Sequence, residues 1–282
     1  MKIVVLTNDW PNMGALCHKI SHHHDLLCIV CSKNIPKNNK KLSLSHLFVK
    51  VLNRIIGYMI KAAWDHMMER YRTLYPEFSD VPIVHVDNIN DEVTLDVIRE
   101  NAADLIVVSG TNLIGENIIL ECQKNSKDII NLHTGISPYI KGGPNCTNWC
   151  LATGEFYLIG NTVMRLDPGI DSGAIIASER TMLDGSESLD ELHWKVMENG
   201  FELYCRIIDL IAENSQKVTS VPQNHIAIGR TYYNREWNTW QIIKAQWNYR
   251  VNFHPKTFNK EEFVIKSNKI KLICADGDVL LS

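Results

Sequence analysis

The stretch Ile129-Ile130-Asn131-Leu132-His133-Thr134-Gly135-Ile136-Ser137-Pro138-Tyr139-Ile140-Lys141-Gly142-Gly143-Pro144 decides how the chain is read. Residues 129–133 have the composition of a buried strand, and because side chains alternate along a strand, Asn131 and His133 fall on one face. A loop rich in Gly and Pro follows, which lets backbone approach a ligand closely, and residues 146–152 then re-enter a helix. An amide and an imidazole on one face at the carboxyl end of a strand, where open α/β sheets bind ligands, form a candidate oxyanion site. Taken alone, an Asn-x-His pair more often satisfies loop carbonyls, so the rest of the chain has to weigh in.

Working outward, apolar runs at residues 2–7, 26–31, 83–86 and 105–109 precede 129–133 and alternate with helix-like stretches. That alternation predicts an α/β fold, a Rossmann-like doubly wound sheet, mostly parallel and buried under crossover helices. Asn90 or Asp91 can cap a helix that places Val93, Val97 and Ile98 on one face. Between about 43 and 75, Leu47, Val51, Ile55, Met59, Ala62 and Ala63 keep helical spacing, which predicts a long helix or a helix pair inserted after the second strand. Residues 159–166 and 174–177 read as two more strands joined by the tight segment Asp167-Pro168-Gly169-Ile170-Asp171-Ser172-Gly173. Ser188-Leu189-Asp190-Glu191 is a capping box opening a helix with Leu189, Leu192, Val196, Leu203, Ile207 and Leu210 inward.

The main domain is expected to span 1–215, followed by a small α+β appendage over 216–282. That tail concentrates Tyr232, Tyr233, Trp237, Trp240, Trp247, Tyr249 and Phe253. Trp237, Trp240, Ile243 and Trp247 stand at helical spacing, a packed or interface face, while residues 263–265, 269–274 and 278–281 suggest small antiparallel strands turning at Asp276-Gly277. Such an aromatic tail also suits a homodimer.

Composition narrows the function classes. With 282 residues, 45% hydrophobic and 22% charged, the chain can bury a full core without metal or disulfide staples. Its net charge of −3 sets up no field that draws a polyanion, so nucleic acid is not an expected partner. The cluster of Lys33, Lys37, Lys40 and Lys41 reads as a solvated loop. The amino-terminal apolar stretch is too short for a signal sequence, and no run of about 18 apolar residues follows, so a cytoplasmic protein with no membrane partner is expected.

Eight cysteines lie scattered without a disulfide rhythm, and the formal pair Cys28 and Cys31 sits in a strand-like run, which favours buried packing over metal binding. His18 and His22 stand four apart, yet no Glu accompanies them at metalloprotease spacing. The loop Asn8-Asp9-Trp10-Pro11-Asn12-Met13-Gly14 lacks a G-x-G-x-x-G pattern, which argues against a dinucleotide site, although a helix start there could hold an anionic group.

Downstream of Asn131 and His133, Pro138-Tyr139 with Lys141-Gly142, Trp149 with Gly154-Glu155, Thr162-Val163, and Asp171-Ser172-Gly173 with Ile175-Ile176 occur in fixed order. In this series the chain resembles the 10-formyltetrahydrofolate-dependent formyltransferases, the family of glycinamide ribonucleotide, methionyl-tRNA and nucleotide-sugar N-formyltransferases and of formyltetrahydrofolate hydrolases. The likeness is good from about residue 80 to 215. Two departures are Thr134-Gly135-Ile136-Ser137, where many members carry a Ser-Leu-Leu-type run, and Lys141 in place of a more usual Arg, which keeps the charge but not a bidentate fork.

The resemblance implies that Asn131 and protonated His133 stabilise the oxygen of the transferred formyl group and that Asp171 favours the imidazolium and takes the amine's proton, with no metal. It also implies N10-formyltetrahydrofolate as co-substrate, held by the loop of Gly110, Leu113 and Gly115 and by the turn of Asp167, with Tyr139 and Lys141 toward the acceptor. Among acceptors it is most similar to bacterial nucleotide-sugar N-formyltransferases, which formylate an amino-dideoxysugar for surface polysaccharide. Only 67 residues follow position 215, less than expected for a tRNA-binding domain. A glycinamide ribonucleotide or methionyl-tRNA enzyme, or a folate- or nucleotide-binding protein without activity on the same scaffold, are the alternatives.

Overall fold

Strand β4 (Leu105–Val108) carries four apolar side chains in succession and is buried along its whole length. Such a run is stable only where both faces of a sheet are covered. The computed structural model describes residues 1–34, 44–214, 216, 218–275 and 279–281. It places β4 within a sheet formed with β1 (Lys2–Thr7), β2 (Asp25–Ser32), β3 (Ile83–Val86), β5 (Asp128–His133), β7 (Gly160–Arg165) and β8 (Ile175–Arg180), in the order β3-β2-β1-β4-β5-β7-β8. The strands from β3 to β5 are parallel, β7 runs antiparallel to β5, and β8 antiparallel to β7. This is the expected mostly parallel doubly wound α/β sheet.

Alternation along the strands divides the core in two. Ile3, Val5, Leu105 and Val107 enter a cluster with α1 (Pro11–Ser21), α3 (Tyr58–Leu74) and α7 (Leu189–Asn214). Val4, Leu6, Ile106 and Val108 face the opposite layer, which holds α4 (Glu92–Glu100) and α5 (Glu116–Lys124). The Tyr204 hydroxyl of α7 reaches through this core, accepting the Val108 amide at 3.1 Å and donating to the Ile130 carbonyl at 2.8 Å. It thereby ties β4 to β5 one residue before Asn131.

The capping box forms as expected: the Glu191 carboxylate accepts the Ser188 amide at 2.9 Å, and the Ser188 hydroxyl accepts the Glu191 amide at 3.4 Å. Leu210, expected inward on α7, is 41% exposed, and Val93 on α4 is 48% exposed. The inserted segment is a helix pair, α2 (Leu44–Ile56) and α3, broken at Gly57. Of the lysine cluster, Lys33 pairs with Asp87 at 3.2 Å, while Lys37, Lys40 and Lys41 lie outside the described residues, as does the Asp276-Gly277 turn.

Past α7, β9 (Arg230–Tyr232) pairs in parallel with the short β6 (Ile140–Gly142), and α8 (Thr239–Val251) packs on α6 (Cys146–Thr153). One expectation fails here and another holds only in part. Residues 263–265 belong to α9 (Lys260–Ser267), not a strand, because the Asn259 side chain caps the helix by accepting the Glu262 amide at 3.0 Å and Glu262 pairs with Lys266 one turn on. The aromatic face of α8 points outward: Trp240 is 60% and Trp247 65% exposed, and Trp237 lies before the helix begins. Ile242 and Ala245 are the buried residues of the helix, and beside them Asn248 donates to the Leu151 carbonyl at 2.8 Å and Gln246 to the Ile56 carbonyl at 2.7 Å, which satisfies helix-end acceptors. A last pair, β10 (Lys271–Ile273) and β11 (Val279–Leu281), is antiparallel.

His193 on α7 is fully buried, edge-on to Trp64 at 5.7 Å, and its Nε2 has no hydrogen-bond partner among the described residues. Burial pushes its pKa from 6.5 down to about 4. Between those values the unfolded chain binds a proton that the folded chain does not, so stability is full above pH 6.5 and falls as pH drops toward 4. The expected loss is on the order of 3 kcal/mol. Urea unfolding at neutral and at acid pH should record that slope in the wild-type chain and a flatter one in His193→Phe.

Candidate active site

Asn131 and His133 leave β5 on one side, at the end where β5 meets β7 by pairing His133 with Thr162. The loop that follows is held from β7: the Thr162 hydroxyl donates to the Gly135 carbonyl at 2.7 Å and accepts the Ser137 amide at 3.0 Å. His133 is buried, and both its ring nitrogens face acceptors. Nδ1 lies 3.3 Å from Asp171 Oδ2, and Nε2 3.3 Å from the Ile140 carbonyl oxygen, with Cys146 Sγ at 3.6 Å from Nε2.

Asp171 sits on the turn between β7 and β8 with φ of +45°, a left-handed conformation that costs a non-glycine residue on the order of 1 kcal/mol. The turn is fixed by its surroundings. Asp171 Oδ2 accepts the Gly142 amide at 2.9 Å, and the Gln223 carboxamide donates to the carbonyls of Asp171 at 2.7 Å and Gly173 at 2.9 Å. Asp167 accepts the Gly169 amide at 3.0 Å and the Ser172 hydroxyl. A Cβ on Gly173 would stand 1.7 Å from the Arg165 carbonyl oxygen, so only glycine lets the turn fold back on β7.

Asn131 and Asp171 line a cavity of about 470 Å³, within the range of small-molecule sites. One wall is the loop after β4, contributing Thr111, Asn112, Leu113 and Ile114, and another is the turn from Asp167 to Gly173. A third wall comes from beyond residue 215: Tyr232, Tyr233 and Asn234. They are brought there by the pairing of β9 with β6, where the Gly143 amide donates to the Tyr232 carbonyl at 3.0 Å and a Cβ on Gly142 would stand 2.1 Å from that same oxygen. Arg235 lies over the Tyr233 ring at 4.8 Å.

Of the expected site residues, the structure brings together Asn131, His133 and Asp171, with Leu113 and Asp167 on the cavity wall. Four lie elsewhere. Gly110 and Gly115 are the ends of the loop after β4, not its cavity face: Gly110 adopts φ of +72° and Gly115 donates its amide to Asn90. Lys141 turns to Gln223, donating to its Oε1 at 3.2 Å, and the Tyr139 hydroxyl accepts the Lys271 amide at 2.9 Å while its ring packs between α6 and the carboxyl-terminal segment. Neither lines the cavity. Gln223 and Asn234 were not foreseen, since a polar residue in an aperiodic segment leaves no signal in one sequence, and nothing in the spacing sets Cys146, at the start of α6, beside His133.

Among the described residues no group of His, Cys, Asp or Glu is set to hold a metal ion, and no helix is long and apolar enough to cross a membrane.

Residues 1–208 match the model of a family described as formyl transferase. The methionyl-tRNA formyltransferase of Alkaliphilus oremlandii (strain OhILAs) is 33% identical over 147 residues, 52% of this chain and 45% of that protein, so the match spans less than half of that relative. Among solved structures, a 4-N formyltransferase from Francisella tularensis superposes with a TM-score of 0.54 at 17% identity, covering 99% of this chain and 95% of that one. An N-formyltransferase from Helicobacter canadensis, in complex with folinic acid and dTDP-3-aminofucose, gives 0.53 at 14% identity over 86% and 79% of the two chains. At such identities the structures speak for the fold.

Proposed function

The chain belongs to the formyl transferase family, and from that premise we propose that it moves the formyl group of N10-formyltetrahydrofolate onto the amine of a nucleotide-linked amino sugar. Asn131, His133 and Asp171 form the catalytic centre of this reading. The folate donor supplies an activated formyl carbon. The acceptor nitrogen bonds to that carbon, the bond from carbon to N10 breaks, and the proton lost by the amine ends on N10. Asn131 donates to the formyl oxygen as it gains charge, and the His133 imidazolium stabilises the same charge. Asp171, 3.3 Å from His133 Nδ1, compensates the ring and receives the amine's proton directly or through water.

The observation that carries the acceptor is the wall of Tyr232, Tyr233 and Asn234. It comes from a segment beyond the family match yet shares one cavity with Asn131 and Asp171, which suits a compact acceptor with a planar ring. The net charge of −3 gives a polyanion no field to follow. The likeness to curated methionyl-tRNA formyltransferases favours a second reading, with methionyl-tRNA as acceptor.

Release of tetrahydrofolate from N10-formyltetrahydrofolate, followed with a panel of nucleotide-linked amino sugars and with methionyl-tRNA, separates the two. The proposal expects release with at least one sugar well above that of Asn131→Ala. Release with methionyl-tRNA alone would replace it by the second reading.

A further inference from the structure

The loop over residues 110–115, whose Thr111, Asn112, Leu113 and Ile114 line the cavity, is gripped from behind by asparagine side chains that do not line it. They come from the ends of three strands. Asn8 follows β1 and donates to the Gly110 carbonyl. Asn34 follows β2, holds φ of +54°, accepts the Asn112 amide at 2.9 Å and the Thr111 hydroxyl at 3.4 Å, and donates to Gly110 at 3.4 Å. Asn90 follows β3, donates to the Leu113 carbonyl at 2.8 Å and accepts the Gly115 amide at 2.6 Å. Asn88 adds a bond from the Asn112 side chain at 3.2 Å.

A carboxamide suits this task because it offers one donor and one acceptor in a plane, as a peptide group does. Asn90 thus occupies the place a neighbouring strand would take beside Leu113 and Gly115. None of this is needed to build the sheet, since β4 already pairs with β1 and β5.

We infer that Asn8, Asn34 and Asn90 are positioning residues that set the loop 110–115 for the formyl donor and thereby its affinity. This rests on the proposed function and on the expectation, carried by the family resemblance, that this loop holds the folate. Because the clamp acts on the donor wall, its loss raises the donor KM and leaves the acceptor KM and kcat nearly unchanged. Two hydrogen bonds are lost in Asn90→Ala, which translates to a donor KM raised roughly tenfold. Asn90→Asp keeps the acceptor for Gly115 but sets a carboxylate against the Leu113 carbonyl, so it does not rescue.

The test titrates the protein with 5-formyltetrahydrofolate by calorimetry and measures both KM values for wild type, Asn90→Ala, Asn90→Asp and Asn34→Ala. Asn101→Ala, which loses a bond to the Val97 carbonyl at the far end of α4, controls for stability alone. Donor binding weakened in Asn90→Ala and Asn90→Asp but not in Asn101→Ala, with acceptor KM steady, supports the clamp. Asn34→Ala gives the same reading through other contacts should Asn90→Ala not fold. Donor binding equal to wild type in Asn90→Ala and Asn34→Ala overturns the clamp while the proposed function stands. A wild-type chain that binds no 5-formyltetrahydrofolate overturns both.

Discussion

Asp171→Asn is expected to lower kcat by on the order of 100-fold or more, with little change in stability. Asparagine has the same shape, and its Oδ1 can still accept the Gly142 amide that now bonds Asp171 at 2.9 Å. The turn is held independently through the Asp171 and Gly173 carbonyls by Gln223. What disappears is the negative charge 3.3 Å from His133 Nδ1, the carboxylate that faces that ring. A neutral amide neither compensates an imidazolium nor takes a proton from the attacking amine. Steady-state kinetics should show the loss in kcat with acceptor KM shifted far less, and a thermal melt should show the fold intact. A variant within about threefold of wild type would remove Asp171 from the mechanism.

Trp149→Ala is expected to cost about 3–5 kcal/mol, lowering the melting temperature by roughly 10 °C. Trp149 on α6 is 1% exposed, stacks on Tyr232 at 4.3 Å, meets Trp237 edge-on at 5.0 Å, and donates from its indole nitrogen to the Gly143 carbonyl at 3.0 Å. It therefore joins the loop after His133 to the segment that walls the cavity. Truncation leaves a cavity the size of an indole and an unbonded Gly143 carbonyl. Trp149→Phe keeps most of the packing and loses only the hydrogen bond, so it should recover most of the stability. Denaturant unfolding of the two variants tests this; equal and small losses would mean that the carboxyl-terminal segment is held by other contacts.

Several parts of this architecture are legible in the sequence for simple reasons. Buried parallel strands announce themselves as short apolar runs, and a period of two is enough to put Asn131 and His133 on one face. The capping box at Ser188 is a local pattern and forms where it should. Neither a loop nor a strand of three residues sets a period, which is why Tyr139 and Lys141, neighbours of the reacting pair in sequence, turn to Lys271 and Gln223 instead. On α8 the stripe holds for Trp240, Ile243 and Trp247, which share an exposed face, while Trp237 precedes the helix, because periodicity reports a face and neither what covers it nor where the helix starts. The pairing of β9 with β6 involves three residues on each side, about 90 positions apart, too short for any pattern, yet it delivers Tyr232 to Asn234 to the cavity. Asn8 and Asn34 read as ordinary loop residues and Asn90 as a candidate helix cap; only the fold gathers them behind one loop.

The most direct test of the proposed transfer is the mass of the acceptor itself. A nucleotide-linked amino sugar such as dTDP-3-aminofucose, the ligand of the Helicobacter canadensis structure, is incubated with N10-formyltetrahydrofolate and the protein, and the products are weighed by mass spectrometry. The proposal predicts that at least one sugar of a panel gains the mass of one formyl group with wild type and not with Asp171→Asn. Sugars left unchanged throughout, while methionyl-tRNA in a parallel reaction gains the group, would contradict it.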